Sequence, residues 1–419
     1  MSKKLYLVSI LALAMVLFAA CGGTTAAEEA TTAEEAAPEE EVAIEEAETM
    51  AEDEWGYITI PAGESVVVGL SSALSGGYAA YGQDMLNGVT VAIQDFGDLM
   101  GWEITVESGD DQCEGAPGVT VAEQFSATPY LLGVVGPMCS GTAVAAGEIY
   151  SENHVLVITP SVTAVVVTAL GYENIFRTVP NDDLQAEVTV DFLMNELGIT
   201  TLGIVHDQST YGEGIAQAVQ TKFEAADGTV TGFEGITRGD QDFSAVISTL
   251  LEANPEAIYW GGMDAEGALI INQLRAAGFE GVFFGPDGIK SVPSFVEASG
   301  GAAEGSYMTF GSVGGATGYE EFEAKFTEQF GAPIAYGPGS YDSAMIMLDA
   351  AKAVASIDED GNLVIPKKAL ADMVRATPHS GITGYQEYDE NGDLKVVSIT
   401  VFTVENGDIV PVKTYDFGE

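Results

Sequence analysis

Short apolar runs recur along the chain, each followed by a polar, glycine-bearing turn and then by a stretch of helical period. The run SVVVGL (65–70) leads through the loop SSALSGGYAAYGQD to a helix over 85–96. The run at 102–108 ends at Asp110-Asp111, a turn, and precedes a helix at 119–125. LLGVV (131–135) turns at MCSGT into a helix over 142–152, and a strand over 154–158 ends in the polar turn carrying Ser161 and Thr163. Runs that are apolar nearly throughout are the pattern of parallel strands covered on both faces. Pro180 marks a departure, and a second series follows: helix 186–197, strand 201–206, helix 215–226, strand 229–233, helix 243–253, strand 257–260, helix 266–277 and strand 282–284. Beyond it stand a strand at 305–310, helices at 319–330 and 340–355, and a hairpin of 395–402 with 408–413 turning at Asn406-Gly407. Strand–helix alternation twice over predicts an α/β fold of two doubly wound lobes.

In open parallel sheets, ligands sit beyond the C-terminal strand ends. The turn from Met138 to Thr142 lies at such an end and opens a helix. Free N–H groups, the helix dipole and hydroxyls there favour an anion such as a carboxylate. Ser140 or Thr142 could equally serve as a helix cap. Ser161 and Thr163 repeat the polar arrangement one strand later. Tyr78 and Tyr81 stand in the first glycine loop, Tyr211 in the loop DQSTYGEG, Met263 after AIYWGG, and Asp287 in the turn GPDG. No phosphate-binding loop, GxSxG elbow or HExxH helix is present, and His154, His206 and His379 are scattered. Enzyme readings therefore have no positive support, and no cofactor or metal is expected. Hydroxyls, tyrosines and one acid around a cleft suit a small zwitterion.

Composition changes the picture at the front of the chain. Lys3 and Lys4 precede an apolar stretch ending in small residues before Cys21, the form of an export signal. The sequence LFAACG resembles a lipoprotein signal in which Cys21 is lipidated, with Phe18 a departure from the usual residue. Residues 22–54 hold many glutamates and no Lys or Arg, as expected of a disordered acidic tether. The 419 residues exceed one typical domain. The formal charge is −50; without Lys3 and Lys4, 12 basic residues face 64 acidic ones, giving −52. Such a balance excludes nucleic acid as a partner, which needs clustered Lys and Arg. High-salt adaptation and plain solubility are both compatible with it. With Cys21 lipidated, Cys113 and Cys139 are an even pair in an exported chain, open to a bridge; no further Cys or His is near enough to suggest metal.

From residue 65 to about 408, the motifs SGGYAAYG, DDQC, MCSGTA, ITPSVTA, VHDQSTYGEG, YWGG, GPDG and GPGSYDSA occur in an order that resembles the leucine/isoleucine/valine-binding proteins. These are type I periplasmic substrate-binding proteins of ABC transporters. The resemblance implies two lobes joined by three strands, near 177–180, 306–311 and 384–388. Lobe 1 would be 55–178 with 310–385, and lobe 2 would be 179–309 with 386–419. It implies that Ser140, Ser161 and Thr163 hold an α-carboxylate and that Tyr211 and Asp287 hold an α-ammonium. Tyr81 would border the side-chain pocket, and a Cys113–Cys139 bridge is implied as well. Asp287 is one methylene shorter than the family's usual glutamate, and Met263 stands where leucine-type binders often carry tyrosine. The implied role is capture of an amino acid, branched-chain and aliphatic, between closing lobes, and delivery to an ABC permease from a lipid-anchored position outside the cytoplasm. An amide, urea, another amino acid or an aromatic acid is the alternative ligand, and a ligand-presenting sensor subunit the alternative role.

Overall fold

A computed structural model describes residues 52–311 and 316–418. The expected signal, Cys21 and most of the expected tether lie outside the described residues. The last tether residues do not: Asp53 accepts the backbone N–H of Lys368 and Ala369, both at 3.0 Å, at the start of the helix Lys367–Ala376.

Two sheets organise the described chain. One has six strands in the spatial order Asp98–Leu99, Trp102–Asp110, Val66–Ser72, Leu131–Val135, Val157–Thr159 and Ile175–Arg177. All pair in parallel except the short first strand. Val66, Val68 and Leu70 face one core and Val67 the other, which is why the run is apolar at every position. The second sheet has seven strands: Asp408–Phe417, Val397–Glu405, Tyr307–Gly311, Val282–Gly285, Ala257–Gly261, Thr201–His206 and Thr229–Gly235. Its last five are parallel, and the terminal hairpin adds two antiparallel strands at the edge. Numbered by chain position within each sheet, the parallel strands run 2-1-3-4-5 in both, and each sheet has helices on two faces. The two lobes are therefore two copies of one winding. The chain passes between them three times: from Arg177 to Asp182, from Gly311 to Tyr319, and from Gln386 to Val397.

Several helices begin earlier than expected. Ala79–Phe96 takes in Tyr81, which is a first-turn residue rather than a loop residue. Thr210–Ala225 does the same with Tyr211, and Asp182–Asp191 starts four positions before the expected 186. Ser140–Glu152 starts at Ser140, behind Cys139 as cap, whose side chain makes no cap hydrogen bond. Tyr57–Ile60, unmarked by any expectation, pairs antiparallel with Leu363–Pro366. Buried Asp84 accepts the N–H groups of Ile334, Ala335, Tyr336 and Gly337, fixing the start of the helix Gly337–Val354. Among the described residues, no helix is long and apolar enough to cross a membrane.

Candidate functional site

The C-terminal ends of both sheets enclose one cavity of about 330 Å³. From the six-stranded side it receives the loop at Cys113 and Glu114, the turn Met138–Gly141, and Ser161. From the seven-stranded side come Asp207–Tyr211, Arg238, Met263 and Asp287. Tyr336 closes it from the helix start that Asp84 fixes. The expected residues Ser140, Ser161, Tyr211, Met263 and Asp287 thus meet around one space, while Tyr81 and Thr163 stand just outside it.

On the first wall, Ser140 opens a 13-residue helix toward the cavity, so the unpaired N–H groups of its first turn point there. The Ser161 hydroxyl donates to the Met138 carbonyl at 2.8 Å, tying one turn to the next. A disulfide joins Cys113 to Cys139 with Cα atoms 5.3 Å apart, so it links the loops that begin two cavity-lining helices. Thr163 lines an adjoining cavity that shares Asp287 and Tyr336 with the first. Its hydroxyl is buried beside the Asp182 carboxylate.

On the opposite wall, the Tyr211 hydroxyl donates to Asp287 Oδ1 at 2.7 Å and accepts the Gly288 N–H at 2.9 Å. Gln185 Nε2 donates to the same carboxylate oxygen at 2.9 Å. Thr309 in turn donates to Gln185 Oε1 at 2.9 Å, so a strand residue orients the amide. Burial pushes the Asp287 carboxyl up from its ordinary range, and the hydrogen bonds from Tyr211 and Gln185 oppose that. Close by is a second acid that the sequence reading passed over. Asp182 is buried, with the Thr163 hydroxyl beside its carboxylate. Burial first, then the charge of Asp287, raise its pKa to about 8, with Thr163 and Arg177 opposing. Arg177 itself is committed: its Nε lies 2.5 Å from Asp393, and Nη1 donates to the carbonyls of Val162 and Ala164. The acidic wall is therefore short of positive charge.

Met263 packs against the core of the six-stranded side although it belongs to the other sheet, so it spans the cleft. Tyr81 donates its phenol proton to Asp264, another link across the cleft, and its ring lies 5.6 Å from that of Tyr336. Glu114 and Arg238 make a third link, at 3.1 Å. Asp182, Gln185 and Tyr336 went unread because each sits at the start or first turn of a helix placed too late by its apolar period. Arg238 had a signal: with 14 basic residues in 419, a lone arginine just after a strand of the second series is conspicuous.

One wall can thus take an anion and the other a cation, around one cavity. The sequence pattern of the periplasmic binding proteins matches residues 65–407. Leu/Ile/Val-binding protein homolog 1 of Brucella melitensis is 32% identical over 346 residues, 82% of this chain and 91% of that protein. An amino acid binding protein of Pseudomonas aeruginosa is 30% identical over 80% of this chain and 89% of its own length. The crystal structure of the leucine binding protein LivK from Thermotoga maritima superposes with a TM-score of 0.77, at 27% identity, covering 84% of this chain and 99% of that one.

Proposed function

The chain belongs to the periplasmic binding protein family, and from that premise we propose that it captures a branched-chain aliphatic α-amino acid outside the cytoplasm and hands it to an ABC permease. One observation carries the reading: a helix-start seat for an anion and an acidic wall face each other across one cavity. The α-carboxylate would meet the first-turn N–H groups at Ser140, with the Ser161 turn behind them and the Thr163 hydroxyl as a further donor. The α-ammonium would meet Asp287 and Tyr211, and its charge would favour ionisation of Asp182, which burial and Asp287 otherwise keep protonated. Met263 offers an apolar, adaptable wall to the side chain. Tyr81 acts from behind, through Tyr336 and Asp264.

Because the two charged ends of the ligand sit on different lobes, an amino acid favours the closed form by its differential affinity. Residues 55–178 with 310–385 would move against 179–309 with 386–419 about the three crossings. The chain is read as a carrier rather than a catalyst, anchored through lipid on Cys21. Replacing Cys21 by serine should release it from the membrane fraction and abolish incorporation of labelled fatty acid.

Thermal unfolding of protein refolded to strip bound ligand tests the ligand. At about a hundredfold over its dissociation constant, a true ligand adds roughly 2.7 kcal/mol of stability. Leucine, isoleucine or valine should raise Tm, and Asp287→Ala should erase the rise. A flat response to every amino acid, with a rise for an amide or an aromatic acid, would sink the reading.

A further inference from the structure

The two lobes share one winding, so the loops after the second strand of each occupy equivalent places, and they meet over the ligand cavity. One loop carries Glu114, the other Arg238. Arg238 Nη2 donates to Glu114 Oε1 at 3.1 Å, and its guanidinium also faces the Tyr78 phenol and the Asp207 carboxylate. Asp207 lines the cavity as well, held by the Ser209 N–H and hydroxyl. Glu266 stands beside the same loop: one oxygen accepts the Gly239 N–H at 3.1 Å, and the other is buried with no hydrogen-bond partner among the described residues. Arg238 is the sole cation among the cavity-lining residues, set between the carboxylates of Glu114 and Asp207.

We propose that Arg238 is a built-in occupant of an acidic subsite, filling the place a basic ligand side chain would take and so restricting the cavity to uncharged side chains. The assignment rests on the amino-acid reading above. A lysine or arginine ligand, seated by its α-groups, would bring a second cation against this guanidinium or have to displace it from Glu114. Discrimination of this kind comes from a repulsive element built against the wrong ligand rather than from added contact with the right one. An aliphatic side chain meets no such conflict, since the methylene stem of Arg238 is apolar. Take the guanidinium away, and Glu114 and Asp207 are left facing the cavity with no protein cation, which is a site for an ammonium or guanidinium.

The test is ligand selectivity of the full chain, by calorimetry with leucine, lysine and arginine, for wild type, Arg238→Met and Arg238→Lys. Wild type should bind leucine and give no heat with lysine or arginine. Arg238→Met keeps an apolar stem and should lose about threefold in leucine affinity, the scale of an exposed ion pair. It should gain lysine or arginine binding by at least about tenfold, the scale of one recovered charged contact. Arg238→Lys, which keeps the charge, should reject basic ligands as wild type does. Wild type that binds lysine, or an Arg238→Met protein that binds leucine and still rejects both basic amino acids, would overturn the assignment alone. Wild type that responds to no amino acid would remove the underlying reading and this one together.

Discussion

The carboxyl of Asp182 is buried beside a second acid, Asp287, and the Thr163 hydroxyl and Arg177 offset that only in part, so its proton is held to about pH 8 rather than 3.8. The sign of the consequence follows from linkage. Between those two values the folded chain keeps a proton that the unfolded chain has released, so this group's contribution is fully present below about pH 4 and is lost as pH rises toward 8. Asp182→Asn removes the effect without changing shape. The Tm of that variant, measured without ligand, should climb relative to wild type as the buffer moves from about pH 5 to about pH 8. Saturating leucine should narrow the gap, since its ammonium supplies the missing charge. A gap that ignores pH would mean that Asp182 is ionised and solvated. Tyr211→Phe addresses the other half of the wall. It takes one donor from Asp287 and one acceptor from the Gly288 N–H, so leucine affinity should fall by roughly tenfold on titration, about the worth of one hydrogen bond to a charged group.

Elements matter here through their ends. The disulfide ties the start of Gly115–Ala127 to the start of Ser140–Glu152 across a sequence separation of 26. Closing a loop of that size stabilises by about 3 kcal/mol in the chain-entropy account. Replacing both cysteines by serine should lower the urea midpoint accordingly, and leucine affinity should fall with it, because both helix starts line the cavity. A loss of stability with unchanged affinity would show that the two starts are positioned without the bridge. The interior strands were readable from sequence: Thr201–His206 and Leu131–Val135 are buried on both faces, so the runs 202–205 and 131–135 carry no polar side chain and announce their own limits. The helix starts were not, because the apolar period sets in only after the first turn. At 79–84, 182–185 and 210–214 that first turn is spent on tyrosines, carboxylates, glycines and a glutamine serving the cleft or its neighbours. The strand Tyr57–Ile60 was hidden for a different reason, since its partner Leu363–Pro366 lies some three hundred residues on and no local pattern can point to it.

At the scale of the whole molecule, the repeated strand order makes the site. Two sheets wound 2-1-3-4-5 and set with their C-terminal ends together bring seven strand-end loops to one space, so residues as distant as Ser140 and Asp287 need no local motif to meet. The same chain carries a formal charge of −50, and its 14 Lys and Arg can neutralise few of 64 carboxylates. Most of those that are paired sit at the surface, as with Lys222–Asp183, Lys325–Asp95 and Lys413–Glu196, where each pair contributes little. Net repulsion among unpaired carboxylates should therefore outweigh attraction within pairs. The screening length falls from about 10 Å at 0.1 M salt to about 3 Å at 1 M. Repulsion acts over the longer distances and is removed first, so Tm should rise steadily with potassium chloride across that range. An equal osmolality of sucrose separates this from preferential exclusion, which stabilises without screening. A rise with the salt well beyond that with the sugar would tie the acidity to ionic strength; a Tm that falls, or that tracks the sugar, would mean that surface pairs dominate or that the charge serves solubility alone.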